Sequence, residues 1–274
     1  MSIFYVIPFV WVFQLGLFEW DGITPTKVFV GLANFKEILT DKNWWQSVWN
    51  AGFITFIALT FQNALAFLLA LACDREIRLK NFYRVIFFIP PVLSEVVVGM
   101  VWRFVINDID GANLINRALA MLGLGNLVHS WLTDPKTALA TVALVHCWKG
   151  FGWGFLIFLA GLQTIPRELY EAAHVDGAGA WHSFKNITIP LMIPVIALVA
   201  ILTVLGTMQV FVLIISLVGG EFAGYTSVPV LRILASMRGS SRFGYACAQG
   251  ITFGLILVII SFIQYRFSKR GRRA

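Results

Sequence analysis

No charged side chain interrupts the chain from Leu191 to Val218. A stretch of that kind has few stable settings in water. A helix needs about 20 predominantly apolar residues to cross the hydrocarbon layer, within a range of roughly 17–25 and more when tilted. Five further segments read the same way: Ile3–Glu19, Gly52–Ala72, Val85–Ile106, Thr137–Leu162 and Phe243–Tyr265. Lipid offers the backbone no water to bond, so each run must be helical or belong to a closed barrel. Barrel strands alternate in polarity over about 10 residues, whereas these runs are longer and continuously apolar. The expectation is an all-α integral membrane protein, a single transmembrane domain over 1–274. Its six transmembrane helices are 3–19, 52–72, 85–106, 137–162, 191–218 and 243–265, with a polar loop at 163–190. The first span is short, and the fourth and fifth are long enough to tilt.

Composition agrees. Hydrophobic residues make up 58% of the chain and charged residues 13%, where a soluble domain has about 45–50% and about 25%. The net charge of +7 is not a nucleic-acid signal, because no span presents a basic face with interleaved aromatics. Its densest part, Arg266 to Arg273, reads as a cytoplasmic membrane anchor. Cys73, Cys147 and Cys247 are odd in number and far apart, with neither a disulfide framework nor metal-ligand spacing. All three are expected to be small buried residues. Ile3–Phe18 has no Lys or Arg before it and no small-x-small cleavage site after it, so it reads as a retained helix and not a cleaved signal.

Orientation follows from Lys and Arg near the span ends. With the amino terminus inside, the inner loops hold Arg75, Arg78, Lys80, Arg84, Arg167, Lys185 and the basic tail, against a smaller and more scattered outer set. Both termini are expected to be cytoplasmic. The outer segment Glu19–Ala51 then carries a helical pattern at Leu32–Leu39. Trp44, Trp45 and Trp49 suit a headgroup-level aromatic belt. Asp108, Asp110 and Gly111 resemble a fragment of a calcium loop, but the remaining ligands are missing and a turn is the better reading.

Two charges fall inside spans. Glu95 and Lys149 are each near the middle of their segment, and the two helices run antiparallel, so their depths agree. A charge at the bilayer centre costs at least about 2.5–3.5 kcal/mol on insertion scales, so it usually faces a cavity or a partner. Two readings are open: the two pair or line one aqueous path, or each snorkels or titrates separately. Span five is polar in an ordered way, with Thr203, Thr207, Gln209 and Ser216 around Gly206. Thr203 and Thr207, four apart, share a helix face that can line a pore for a polyhydroxyl solute. Hydrogen bonding between helices is the equal alternative. His146 and Cys147 point about 100° apart with no base or metal set around them, so His146 reads as a packed polar residue.

The longest polar interruption in the C-terminal half lies between spans four and five. Pro166 suits a helix first turn, Glu168 and Glu171 its positive end, and Gly177 a stop. One short helix is expected over Pro166–Asp176 and a second over Ala180–Ile187, before Pro190 and Pro194 break the start of span five. Ala172 and Ala173 leave room for another surface to approach closely.

Glu171-Ala172-Ala173, Asp176-Gly177-Ala178, Trp181, Phe184 and Ile189-Pro190-Leu191 together resemble the Glu-Ala-Ala motif of ABC importer permeases. Further agreement runs through Val30-Gly31-Leu32-Ala33-Asn34-Phe35, Trp49-Asn50, Phe87-Phe88-Ile89-Pro90, Val98-Gly99-Met100-Val101-Trp102-Arg103, Trp148-Lys149-Gly150, Phe158-Leu159-Ala160-Gly161-Leu162-Gln163 and Gly219-Gly220. These segments resemble the sugar-importer branch, the maltose and glycerol-3-phosphate type, and the first of its two unlike permeases. The resemblance implies a type I ABC importer transmembrane domain in a bacterial or archaeal cytoplasmic membrane. It implies a second homologous permease, two ATPase subunits, an external solute-binding protein and a sugar substrate as partners. It also implies that Glu171, Ala172, Ala173, Asp176 and Gly177 dock as a coupling helix in a cleft of the ATPase.

This chain has no Gly-x-x-x-x-Gly-Lys-Ser/Thr phosphate loop, so ATP and Mg are expected on the partner subunits, and the permease itself is not catalytic. On this reading Glu95, Lys149, Thr203, Thr207 and Gln209 are candidates for the substrate path. Three departures stand out: no basic segment before span one, Val212 where relatives often have Asp, and Gly219-Gly220-Glu221-Phe222 in place of Gly-Gly-Gly-Pro. The rival reading is a secondary, proton-coupled transporter. It predicts inverted repeats and discontinuous mid-membrane helices, and no such repeat is visible.

Overall fold

A computed structural model describes residues 2–74, 80–106, 113–219 and 224–271. Arg75, Arg78, the turn at Asp108, Asp110 and Gly111, the Gly220-Glu221-Phe222 segment, Arg272 and Arg273 lie outside the described residues, as do the side chains of Lys80, Lys269 and Arg270. The helices in chain order begin with α1 (Ser2–Leu15), α2 (Ala33–Thr40), α3 (Lys42–Ile57), α4 (Asn63–Asp74), α5 (Lys80–Val92), α6 (Glu95–Ile106) and α7 (Leu114–Met121). They continue with α8 (Ala138–Leu162), α9 (Arg167–Val175), α10 (Ala180–Ser183), α11 (Ile189–Met208), α12 (Val212–Val218), α13 (Pro229–Arg238) and α14 (Phe243–Gly271). The strands β1 (Phe18–Glu19) and β2 (Val28–Phe29) form an antiparallel ribbon, Phe18 opposite Phe29.

Among the described residues, four helical stretches are long and apolar enough to cross a membrane, or five if one bent pair is a single span. The remaining expected span corresponds to α1, which is apolar but below that length. Span one ends at Leu15 instead of Glu19, because Phe18 and Glu19 leave the helix to pair with β2. Its 14 described residues cover about 21 Å at a 1.5 Å rise. Span two, by contrast, is longer than expected: α3, a π turn at Ala58–Gln62 and α4 form one stretch from Lys42 to Asp74.

The other two corrections are breaks. Span three is a bent pair: Asn81–Val92 and Glu95–Ile106 meet at 95°. Pro90 and Pro91 lie at the end of α5, where their missing N–H groups remove two ladder bonds. Ser94 then starts α6, its carbonyl accepting from the Val98 N–H at 2.9 Å. Glu95 is accordingly the first residue of a helix and not the middle of one. Span five stops at Met208, and α12 starts after a break at Gln209–Phe211. At its other end, Pro190 and Pro194 do not break it. The run Ala180–Met208 is one helical stretch with a π turn at Phe184–Thr188, a wide turn that absorbs the missing proline donor.

Two compact units make up the chain. The first comprises Met1–Ile54, Gly99–Val142 and Gln209–Ile260. Within it, the Asn34 amide donates to the carbonyls of Gly16 and Phe18, both at 3.0 Å, and ties α2 to the ribbon. Asn50 donates to Tyr225 O and Ser227 O at 2.8 and 2.9 Å. Gly99 of α6 lies directly on Ser216 of α12, where a Cβ would strike the serine side chain. Trp44 is fully buried in protein, so of the three expected belt tryptophans only Trp45 and Trp49 are exposed.

The second unit comprises Thr55–Val98, Ala143–Met208 and Ser261–Ala274. Its core is built from Ala66 and Ala70 of α4, Phe151, Phe155, Phe158 and Leu162 of α8, and Met192 and Val199 of α11. Lipid is as apolar as these side chains, so close packing and not water exclusion holds such helices together, and small residues let the backbones approach. Gly154 on α8 gives that approach against Ala66, and Gly152 gives it against Phe87 O and Pro91 of α5. Cys73 and Cys147 are buried as expected, whereas Cys247 is half-exposed.

Candidate functional site

Two features of the second unit answer the sequence expectations: a cavity among its helices and the loop that follows α8.

The cavity measures about 400 Å³ and is walled by Gln62, Glu95, His146, Lys149, Gly150, Trp153, Gly154, Ile157, Val199, Leu202, Thr203 and Gly206. Lys149 enters from the middle of α8 and Glu95 from the first position of α6. Lys149 Nζ lies 3.9 Å from Glu95 Oε1, with the side chains 16% and 35% exposed. That distance is an ion pair and is too long for a hydrogen bond. The start of α6 also favours a carboxylate there, through the helix dipole. The two charges are thus brought to one wall, as their matched depths imply, although one of them sits at a helix end.

Gln62 was not singled out from sequence. It ends the π turn, is 6% exposed, and its Oε1 has no hydrogen-bond partner. Gly150 makes room for it: a Cβ there would lie 2.7 Å from that oxygen. The Nδ1 of His146 is likewise enclosed without a hydrogen-bond partner. His146 lines the cavity while remaining packed within the unit. Buried polar atoms normally find partners, so two such atoms without a hydrogen-bond partner beside Lys149 set this wall apart. The signal in the sequence was the amide pair Gln62-Asn63 inside an apolar run.

The polar face of span five is divided. Thr203 lines the cavity, yet its hydroxyl donates to Val199 O at 2.8 Å and to Asn63 Oδ1 at 3.1 Å. Thr207 is 1% exposed and shares a 2.8 Å hydroxyl hydrogen bond with Thr55. For Thr207 the alternative of bonding between helices is the one realised. Gln209 is exposed just past the end of α11, in the first unit, and is not part of this wall.

The loop is built by a helix stop. α9 runs from Arg167, after Pro166, to Val175, with Asp176 as its cap. Gly177 has φ +79°, the left-handed region that glycine alone enters without strain. Ala178 N–H donates to Ala173 O at 2.8 Å and Gly177 N–H to His174 O at 3.0 Å, the paired bonds of a Schellman stop. Glu171, Ala172, Asp176 and Gly177 are exposed, and Ala173 is half-buried. No residue of α9 is buried. Val175 and, beyond the turn, Trp181 are 86% and 74% exposed. Behind the loop lies a cavity of about 1190 Å³ lined by residues including Tyr170, His174, Gly177, Phe184 and Leu162. The expected second short helix is not separate: Ala180–Ser183 continues through the π turn into α11.

Residues 62–273 match the family described as binding-protein-dependent transport system inner membrane component. The chain is 31% identical over 260 residues to the probable ABC transporter permease protein YurN of Bacillus subtilis, covering 94% of this chain and 88% of that one. It is 31% identical over 256 residues to the trehalose/maltose transport system permease protein MalF of Thermococcus litoralis, with coverage of 93% and 85%. It is 30% identical over 270 residues to the sn-glycerol-3-phosphate transport system permease protein UgpA of Agrobacterium fabrum, with coverage of 97% and 90%. A solved bacterial ABC transporter involved in import of the acidic polysaccharide alginate shares the fold. The TM-score is 0.82 at 23% identity, covering 98% of this chain and 90% of that one. Its counterpart in complex with an alginate pentasaccharide-bound periplasmic protein gives a TM-score of 0.80 at 24% identity, covering 98% and 90%. The long apolar helices, the exposed loop after α8 and the match over most of the chain have one conclusion: this protein belongs to the inner-membrane permease family of binding-protein-dependent ABC importers.

Proposed function

We propose that this permease carries a sugar or related polyhydroxyl solute, as the first of two unlike permease subunits. Two ATPase subunits that bind ATP and Mg, and an external solute-binding protein, complete the transporter. Both termini are cytoplasmic in this reading, which puts α9 and the Gly177 turn on the ATPase side.

The observation that carries the proposal is the exposed loop and what it is joined to. Val175 and Trp181 stand out from the surface on either side of a rigid turn, and exposed apolar groups of this kind mark a protein contact. Glu171, Ala172, Ala173, Asp176 and Gly177 form the gripped segment. Beyond the turn, the helical stretch Ala180–Met208 holds 29 residues, or about 43 Å at a 1.5 Å rise. It reaches Thr203 and Gly206 on the cavity wall. A push on the loop is therefore delivered along one helix to the place where solute is held. Within the cavity, Lys149, Glu95, Gln62 and His146 supply donors and acceptors to hydroxyls, and Trp153 supplies an apolar face. The named sugars of the relatives, trehalose/maltose among them, support the substrate class.

The bend between α5 and α6 is a feature of secondary carriers as well, so energy source is the discriminating property. In proteoliposomes, uptake should require ATP and the ATPase partner. Uptake by this chain alone, driven by a proton gradient, would refute the importer reading.

A further inference from the structure

Arg84, Phe88 and Val92 recur every four residues along α5, with Val85 and Ile89 beside them. Together with Leu93 and with Leu156 of α8 they wall an open groove of about 340 Å³. Val85, Ile89 and Val92 are 62%, 50% and 66% exposed, so this stripe faces outward from the second unit. From Arg84 to Val92 it runs about 12 Å along the helix, and no polar side chain other than Arg84 lines it.

Arg84 is the anomaly. It is half-buried at the end of the groove, and its Nε is enclosed without a hydrogen-bond partner. A guanidinium carries five donors in a fork that matches phosphate, and one left unsatisfied beside hydrocarbon is costly. The groove supplies a place for an acyl chain, and its end supplies a charge for an anionic headgroup.

We infer that this groove binds an anionic phospholipid, one acyl chain lying along Phe88, Ile89 and Val92 with the phosphate on Arg84. Basic residues at the ends of apolar channels between membrane helices recognise lipid headgroups in this way. The bound lipid would brace α5 just before its bend. The inference does not depend on the identity of the solute or on the side of the membrane that α9 faces.

The test is native mass spectrometry of the assembled transporter, released from detergent after exposure to phosphatidylglycerol or to phosphatidylcholine of the same chain length. Wild type should retain the anionic lipid about fivefold more, the increment of one basic residue near the headgroup layer. Arg84→Gln should abolish that preference and Arg84→Lys should keep most of it. Equal retention of the two lipids by wild type overturns the proposal, whatever the variants do. So does efficient disulfide trapping between Ile89→Cys and the second permease, which would make the groove a subunit interface.

Discussion

Lys149 Nζ stands 3.9 Å from Glu95 Oε1, the lysine in the middle of α8 and the glutamate at the first position of α6 after a sharp bend. The pair joins two helices across a cavity wall and holds neither side chain in a hydrogen bond. In the proposed role such a pair opens for a solute hydroxyl, and each charge compensates the other when none is bound.

That arrangement predicts coupling. Glu95→Gln alone leaves Lys149 without its counter-charge, and Lys149→Met alone does the reverse. Each should lower uptake more than the double variant implies by addition, with a coupling energy of about 1 kcal/mol, roughly fivefold in rate. Initial uptake rates for the four proteins in proteoliposomes measure it. Losses that simply add would show that the two residues act independently.

Thr207 should behave as a structural residue. Its hydroxyl bonds Thr55 and it is 1% exposed. Thr207→Val should cost about 0.6 kcal/mol, the average for hydrogen bonds between membrane helices. Thermal unfolding in detergent should show the loss, while the ranking of sugars taken up stays unchanged. A changed ranking would return Thr207 to the solute path.

The outer ion pair gives a pH prediction. Arg242 donates to both carboxylate oxygens of Glu37 at 2.6 Å. These bonds hold the Glu37 carboxyl below its ordinary value of 4.5, against a weaker opposing effect of burial. A folded value below the unfolded one means that the stabilisation is complete above 4.5 and is lost as pH falls through the lowered value. The side chains are 41% and 46% exposed, so screening limits the pair to below about 1 kcal/mol. Glu37→Gln should therefore lower the unfolding midpoint slightly at pH 7. The difference from wild type should shrink as pH falls below 4.5, and with added salt. A difference that grows on acidification would reverse the sign and contradict the assignment.

Much of this was legible in the chain. Continuous hydropathy marks α8 to within a residue of Thr137–Leu162, because polar residues close the run at both ends, Lys136 before it and Gln163 after it. The Gly177 stop was visible too, since only glycine suits the left-handed turn that ends α9. What hydropathy misses is direction. The apolar run across Val92 and Leu93 is unbroken, so the 95° bend was written only in Pro90-Pro91 and in Ser94 as a helix start. The reverse error occurred at Pro190, which follows a π turn, and at Pro194, which α11 carries inside it. The face taken by Thr207 depends on Thr55, far away in sequence, and no periodicity argument reaches that pairing. Gln62 was hidden for a related reason: the wide turn that aims it at the cavity has no simple sequence period.

ATP-driven motion is proposed to enter the helix that walls the cavity through the loop after α8. Gly177 is the sharpest place to probe that coupling, because its φ of +79° is closed to proline, and its N–H holds the stop at His174 O. No neighbouring atom lies within 4 Å of a Cβ placed there, so the change acts on the turn and not on packing. The measurement is ATP-driven sugar uptake by the reconstituted complex carrying Gly177→Pro, with ATPase retention followed by co-purification. The variant should still insert and pair with the second permease but lose uptake at least tenfold, with the ATPase released or its hydrolysis uncoupled from transport. Full uptake with the ATPase still bound would show that the loop does not carry the motion.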